Sequence, residues 1–387
     1  MQIEIISFTE QGSRTAEKIE EIMEGYHQTQ ESGKTAGGQS MEQSKKMQSS
    51  TKYSSNLVQR YDGRNLEQTL QEWCKNTFSH AGLLIFIGAA GIAVRTIAPF
   101  LKDKFTDPAV LVVDERADYV IPILSGHVGG ANEYAAYLAE HLSATAVITT
   151  ATDVNKKFAV DVFAQKNQLI IQDRTWAKEI SAAILRGGKV GVFCEGDIIG
   201  NLPEELFRVS RNCPEKRNDL LTEIPKTSQE RKEALKKWEA QQISIGIHTS
   251  DHLIPKAVTL GIGCRKGKAA EEIEQFVLKQ LEGQQIALES ISCVASADRK
   301  KEEPGILAFC KKYKLDFQTF SPEQLKQVPG EFAASAFVEE TIGVGNVCER
   351  AAVCGQKGEA YHVILPKTAE NGMTLAIVEK EWSVTFE

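Results

Sequence analysis

The run Ser125-Gly126-His127-Val128-Gly129-Gly130-Ala131-Asn132 sets one histidine among three glycines. It lies between an apolar run, 119–124, that reads as a strand and a helical pattern carrying Ala131, Ala135, Leu138 and Leu142 on one stripe. Histidine is the side chain whose ordinary pKa lies nearest neutrality, which suits it to proton transfer. Glycine lets a backbone turn tightly and approach a ligand, and a helix start offers N–H groups and a positive dipole end to an anion. His127 is the candidate general base and Ser125 a candidate for positioning a water. The N–H groups of Gly129 to Ala131 are candidate oxyanion donors, and Asn132 and Glu133 fall where they can cap the helix or face a ligand. A tight strand-to-helix turn whose histidine only bonds backbone accounts for the same pattern.

Other loops repeat the arrangement. The continuous apolar run 83–87 ends in Gly88-Ala89-Ala90-Gly91, and Arg95 lies one turn into the next helix, within reach of a ligand carboxylate or of a surface partner. The spacing is not GxGxxG, which argues against a dinucleotide. Strand 110–113 closes on Asp114, a candidate with Glu133 for orienting the histidine, and pairs with 119–124 as a hairpin. Strand 146–149 ends in Thr150-Ala151-Thr152-Asp153. Loops that come after strands in an open α/β sheet collect at the strands' carboxyl ends, so the loops at 88–91, 125–130 and 150–153 are expected to line one pocket. Later, strand 258–262 leads through Gly263-Cys264-Arg265-Lys266-Gly267 into a helix with Ile273, Phe276, Val277 and Leu281 on its buried stripe, again an anion-binding pattern. A packing role suits Cys264, with no histidine near it in sequence. Arg299 comes after strand 291–296, and Glu340 and Thr341 sit in a glycine-containing loop, 337–346.

These elements define the α/β class: a multi-domain chain of two α/β units with mostly parallel sheets, joined by a smaller middle segment. The expected divisions are 1–166, 167–255 and 256–387. A first strand at 3–7 and a polar helix to about residue 23 precede 27–56, where twelve of thirty residues are Ser or Gln. Such a stretch cannot build a packed core and reads as a surface loop or disordered insertion. The middle segment carries dispersed charge over 203–240 and no evident chemistry. His248 and His252 are four apart, but they fall on a strand–turn pattern and not on the helix that would aim both at one metal.

Composition excludes several classes. With 387 residues, 42% apolar and 25% charged, the chain is an ordinary globular one, long enough for two or three domains. A net charge of −7 argues against wholesale nucleic-acid binding. No leader or membrane span is evident, and eight scattered cysteines without CxxC read as reduced thiols, together suggesting a cytoplasmic protein.

The stretches GAAGIAVRTIAPFLKDKFTDPAVLVVDERADYVIPILSGHVGGANEYA, TTATDVNKKFAVD, LGIGCRKGKAAEEIE, ASADRKKEEPGILAF and FVEETIGVGNVCERAA resemble the cobalt-precorrin-5A hydrolase (CbiG) family of anaerobic cobalamin biosynthesis. The resemblance covers about 81–165 and 256–380, with a weaker middle in the family's three-part order; the Ser/Gln-rich insertion is a departure. It implies hydrolysis of a cobalt-containing tetrapyrrole, opening a δ-lactone on the ring-contracted macrocycle and releasing acetaldehyde. The cobalt travels with the substrate, so no cofactor or protein-bound metal is expected. Partners are then the tetrapyrrole and, transiently, other enzymes of the pathway, with neither nucleic acid nor membrane. The substrate's many carboxylates give Arg95, Arg265, Lys266 and Arg299 a role, with Gly88, Gly91, Gly126, Gly129, Gly130, Asn132, Thr152, Asp153, Gly263, Glu340 and Thr341 as further substrate contacts. Roles for His127, Ser125, Asp114 and Glu133 rest on chemistry, not on the resemblance. A non-catalytic corrinoid carrier would use the same anion-binding loops; a sugar-phosphate or nucleotide enzyme would want a phosphate motif that is missing.

Overall fold

The computed structural model describes residues 2–35, 57–103, 106–127, 129–210, 242–330, 332 and 345–386, with the backbone alone for 27–35. The chain divides into two compact units, Met1–Lys156 and Lys157–Glu387.

The first unit is a six-stranded sheet built from β1 (Ile3–Ser7), β2 (Val58–Asp62), β3 (Leu83–Ile87), β4 (Ala109–Val113), β5 (Tyr119–Leu124) and β6 (Thr145–Ala146), in the order β2-β1-β3-β4-β5-β6. β3 and β4, LLIFI and AVLVV, are buried throughout because helices cover both faces. On one face α1 (Glu10–Thr35) and α4 (Ala131–Leu142) pack Ala16, Ile19, Met23, Ala135 and Leu138 against Ile5, Ile85 and Leu111. On the other, α2 (Leu70–Thr77) and α3 (Ala90–Ile97) pack Trp73, Ala93 and Ile97 against Ile6, Phe86 and Val112. Burying each such side chain contributes roughly 1.5–3 kcal/mol of gross stabilisation. α1 runs on to Thr35, past the end expected near residue 23 and into the polar stretch; 36–56, the rest of the expected insertion, lies outside the described residues.

The pairs β2–β1, β1–β3 and β3–β4 are parallel, but β5 runs antiparallel to β4, and β6 parallel to β5. Asp114 makes the reversal: its carboxylate accepts the N–H of Tyr119 (2.6 Å) and of Arg116 (3.1 Å), and Ala117 takes a left-handed φ of 61°. The carboxyl ends of β5 and β6 therefore point to the opposite edge of the sheet from those of β1, β3 and β4. The five residues of β4 hold the two edges about 16 Å apart.

The second unit carries two five-stranded sheets. β8 (Val190–Cys194), β10 (Leu206–Arg208), β11 (Gln242–Ile245), β12 (Leu253–Ile254) and β7 (Ile170–Ile171) form one, in the order β10-β8-β11-β12-β7. α6 (Val160–Lys166) and α7 (Arg174–Leu185) bury Val160, Phe163, Trp176 and Ile180 against it. Residues 157–166 thus pack with the elements C-terminal to them, and the division falls after Lys156, not after Lys166. The other sheet, in the order β15-β14-β13-β17-β16, comprises β13 (Val258–Cys264), β14 (Ile291–Ala297), β15 (Asp316–Phe320), β16 (Tyr361–Glu370) and β17 (Met373–Lys380). α8 (Ala270–Gly283) and α9 (Pro304–Tyr313) cover one face, and α11 (Cys348–Gly355) the other, while α10 (Pro322–Gln327) packs Leu325 beside α11. A Cβ at Gly261 would collide with the carbonyl of Cys348, so this glycine sets how closely α11 approaches the sheet. β18 (Ser383–Thr385) pairs with β9 (Asp197–Ile199).

His252 stacks on Trp176, with ring centroids 4.1 Å apart and planes within 6°. Its Nδ1 accepts from the Ser244 hydroxyl at 2.8 Å, while that oxygen accepts the His252 N–H. Burial pushes its pKa below the usual 6.5, against an opposing pull from Asp251 and Asp173. Between the folded value and 6.5 the unfolded chain binds the extra proton, so this group's contribution to stability shrinks as pH falls below about 6.5. Replacement His252→Phe keeps the stacking and removes the titration. Urea denaturation at pH 7 and pH 5 should then show a loss on acidification smaller than wild type's, by at most about 1.4 kcal/mol per pH unit.

Candidate functional site

At the carboxyl edge of β5 and β6 a buried polar cluster forms around His127. Its Nε2 lies 2.6 Å from Asp153 Oδ2 and 2.9 Å from Thr152 Oγ1. Asn132 donates its two amide hydrogens to Asp153 Oδ2 (2.7 Å) and to Thr150 Oγ1 (2.9 Å). Asn132 and Thr152 are buried, the His127 side chain is 14% exposed, and Asp153, at 38%, is the open end of the cluster. An ionised carboxylate only accepts, so Asp153 fixes the proton of a neutral His127 on Nε2 and leaves the lone pair on Nδ1. Asp153 and Thr152 sit in the short helix α5 (Ala151–Val154), brought beside the histidine loop because β6 runs next to β5.

Three backbone N–H groups after the histidine are satisfied within the loop. Gly130 N–H donates to the His127 carbonyl (3.0 Å), Ala131 N–H to that of Ser125 (3.2 Å) and Asn132 N–H to that of Gly126 (3.0 Å). The expected oxyanion donors at Gly130 and Ala131 are therefore spent inside the loop. Ser125, left-handed at φ 53° and buried, donates its hydroxyl to the Asp107 carbonyl at 3.0 Å; it ties the loop to the start of β4 and does not position water. Gly126 is glycine because a Cβ there would sit 2.8 Å from Asn132 Oδ1, and Gly129 because one would strike Ser125. Glu133 is exposed on the outside of α4, and no described hydrogen bond or ion pair joins it to the histidine.

The remaining N-terminal candidates sit at the other edge. Gly88 N–H bonds the Val113 carbonyl (2.9 Å) and Asp114 makes the hairpin turn, so Gly88, Gly91, Arg95 and Asp114 are a strand's length from His127. The three loops do not line the single expected pocket, because the hairpin reverses the last strands and puts 88–91 at the opposite edge from 125–130 and 150–153. Asp114 cannot orient His127; Asp153 does. Sequence spacing carries no sign of this pairing, since 26 residues separate the two.

In the second unit, β13 extends through Gly263 and Cys264, which pair with Thr374 and Met373. The loop starts at Arg265, whose N–H donates to the Gly372 carbonyl at 2.9 Å. β14 is parallel to β13, so Arg265 and Lys266 share one edge with Arg299, all three exposed. α11 runs antiparallel to β13, with Cys348 over Gly261 and Gly355 over Thr259, and brings its N-terminus to the same edge. The loop already holds an anion of its own. Glu303, 6% exposed, accepts the Gly267 N–H at 2.6 Å and pairs with Lys300 at 2.7 Å. Burial raises its pKa, but Lys300 and the backbone donors outweigh that and hold the carboxyl below its ordinary range. Cys264 is partly buried and its thiol pushed up by burial, which fits packing and not nucleophilic attack. Glu340 and Thr341 lie outside the described residues. His248 meets Glu195 at 3.2 Å, while His252 stacks on Trp176.

Comparison with known proteins matches three successive stretches of the chain. Residues 258–378 match the family model for the cobalamin synthesis G C-terminus, 72–153 that for the N-terminal region and 158–257 that for the central region. The cobalt-precorrin-5A hydrolase of Salmonella typhimurium is 35% identical over 318 residues, covering 78% of this chain and 83% of that protein. The one from Priestia megaterium is 30% identical over 306 residues, covering 78% and 79%. A solved structure described as a cobalamin biosynthesis protein G homolog, from Sulfolobus solfataricus, aligns over 98% of this chain and 97% of that one at 21% identity, with a TM-score of 0.37. The chain belongs to the CbiG family, that of the cobalt-precorrin-5A hydrolases. Among the described residues no helix is long and apolar enough to cross a membrane.

Two substitutions test the architecture. Gly126→Ala should displace the Asn132 amide from its acceptors and destabilise the first unit by about 1–3 kcal/mol, read from urea midpoints. Glu303→Ala leaves the Gly267 N–H and Lys300 without their acceptor. It should cost a similar 1–3 kcal/mol, roughly, in the same measurement.

Proposed function

We propose that this chain hydrolyses a cobalt-precorrin-5A-like lactone, the substrate bringing its own cobalt. The reading rests on the His127–Asp153 pair, a base whose tautomer is fixed by a carboxylate, in a chain of this family. Neutral His127 takes a proton from water at Nδ1 as the oxygen attacks the lactone carbonyl, and Asp153 stabilises the imidazolium that results. The acyl–oxygen bond breaks, leaving a carboxylate on the macrocycle and a hydroxyl on the carbon that bears the methyl. Loss of the hydroxyl proton turns that oxygen into a carbonyl as the carbon–carbon bond to the macrocycle breaks. The electron pair passes into the ring system, which takes up a proton, and acetaldehyde leaves. One water is consumed, and no oxidant is needed. With the N–H groups of Gly130 and Ala131 spent on loop carbonyls, the charge on the tetrahedral intermediate faces the imidazolium formed at His127 and not the start of α4.

The second unit serves substrate carboxylates in this reading. Arg265, Lys266 and Arg299 share one edge with the N-termini of α8, α9 and α11, whose dipoles favour an anion. A carrier without catalysis would use that edge equally but has no need of a histidine held in one tautomer.

Acetaldehyde release from the lactone intermediate decides the matter. His127→Ala should lower kcat by about two to four orders of magnitude. Asp153→Asn, which can hold the wrong tautomer, should reduce kcat by at least about tenfold. Wild-type rates in His127→Ala would remove the histidine from the mechanism, and absence of acetaldehyde with the native chain would favour the carrier. Replacing Arg265 and Lys266 together by Gln should raise KM roughly tenfold or more with kcat little changed.

A further inference from the structure

The outer face of α3 breaks the rule that a helix on a doubly wound sheet shows water its polar side. α1 presents Arg14, Glu17 and Lys18 to solvent. From Ala90 to Leu101, α3 and the 3-10 turn that continues it carry one charge, Arg95, in twelve residues. Ala93, Thr96 and Ile97 are buried against the sheet, while Gly91, Ile92, Val94, Arg95, Ala98, Pro99 and Leu101 are exposed. Val94 is 50% exposed, Leu101 46% and Ile92 37%. At 3.6 residues per turn, Gly91, Arg95 and Ala98 form the midline of this face, with Val94 and Leu101 along one flank and Ile92 and Pro99 along the other. The result is a shallow apolar floor about 15 Å long with a single guanidinium in it.

Its position carries a second argument. The strand order β2-β1-β3 places the topological switch point between β1 and β3, and the crevice outside their carboxyl ends is where open α/β sheets take ligands. α3 starts from that crevice through Gly88, at φ 150°, and Ala89. The acids nearby are engaged: Asp62 pairs with Arg64 at 2.8 Å, Glu115 accepts from Thr9 at 2.8 Å, and Asp114 holds the hairpin. Among the described residues no ion pair joins Arg95.

We infer that the exposed face of α3 is a docking platform for the flat face of the tetrapyrrole macrocycle, with Arg95 taking a peripheral carboxylate. This deepens the hydrolase reading and rests on it for the identity of the ligand. A broad apolar ring edged with carboxylates matches a broad apolar floor holding one cation, and a polar peptide does not. The site is a binding surface, separate from the His127 cluster at the other edge of the same sheet.

Binding of cobyrinic acid, a cobalt corrinoid polycarboxylate, followed by difference absorption, tests the platform without requiring turnover. Val94→Glu and Ile92→Glu each remove apolar floor and repel carboxylates, and should raise the Kd for this probe by roughly tenfold or more. Arg95→Gln should weaken binding by a smaller factor and flatten its salt dependence. Gln71→Glu, on α2, places the same charge on an exposed site elsewhere and should leave the Kd unchanged. Unchanged probe affinity in Val94→Glu, with a wild-type circular dichroism spectrum, overturns the platform. So does a change of molar mass by light scattering with unaltered probe affinity, which would make the face a self-contact. If the native chain binds the probe in a Val94-dependent way yet releases no acetaldehyde, the platform stands and the hydrolase reading falls.

Discussion

The carboxylate of Asp114, accepting two backbone N–H groups across a tight turn, decides the geography of the first unit. Had β5 joined β4 in parallel, through a crossover helix, every loop at the end of a strand would open on one edge. The hairpin sends β5 and β6 the other way, and the sheet acquires two working edges. One carries the histidine cluster, whose five polar members bond one another and whose glycines are there for close packing. The other carries the switch-point crevice and the apolar face of α3. A sheet about 16 Å from edge to edge thus separates residues that linear order suggests should cooperate.

Much of this is legible in the sequence, and where the sequence misleads the causes are definite. Continuous apolar runs such as 83–87 and 110–113 announce strands buried on both faces, and the hairpin between 110–113 and 119–124 is implied by their short connection. The same hairpin reverses the loops beyond it, whereas proximity in the chain groups Asp114 with His127. Ser125 and the N–H groups of Gly130 and Ala131 read as catalytic because sequence cannot show that neighbouring carbonyls already claim them. Asp153 reads as a contact for substrate; its bond to His127 depends on β6 lying beside β5, a tertiary fact. The apolar character of α3 is visible as composition, yet periodicity alone does not say which side of so uniformly apolar a helix faces water.

The second unit shows the same tension between apparent and actual anion sites. The glycine-basic loop after β13 looks open to a ligand, but the buried Glu303 fills part of it from within, across 36 residues of sequence. A buried carboxylate next to a helix-starting proline is a feature that sequence offers without its meaning: Glu303 precedes Pro304, and only the fold brings it to Gly267. Lys300 is committed to that internal pair, while the exposed side chains of Arg265 and Lys266 at the mouth of the loop stand apart from it.

The return of the last strand has a consequence for biosynthesis. β18 pairs with β9, Phe386 stacks on Phe163 at 4.4 Å, and Thr385 and Asn167 exchange two hydrogen bonds across 218 residues. At ribosomal speeds of about 5–20 residues per second, Asn167 waits on the order of 10–40 s for its partner to be made. The first unit can close around its sheet during that interval, whereas the middle sheet must emerge with its Phe163 flank uncovered. Vectorial synthesis therefore divides this chain into a segment that matures as it is made and one whose exposed aromatic flank depends on chaperones or on speed until β18 has been made.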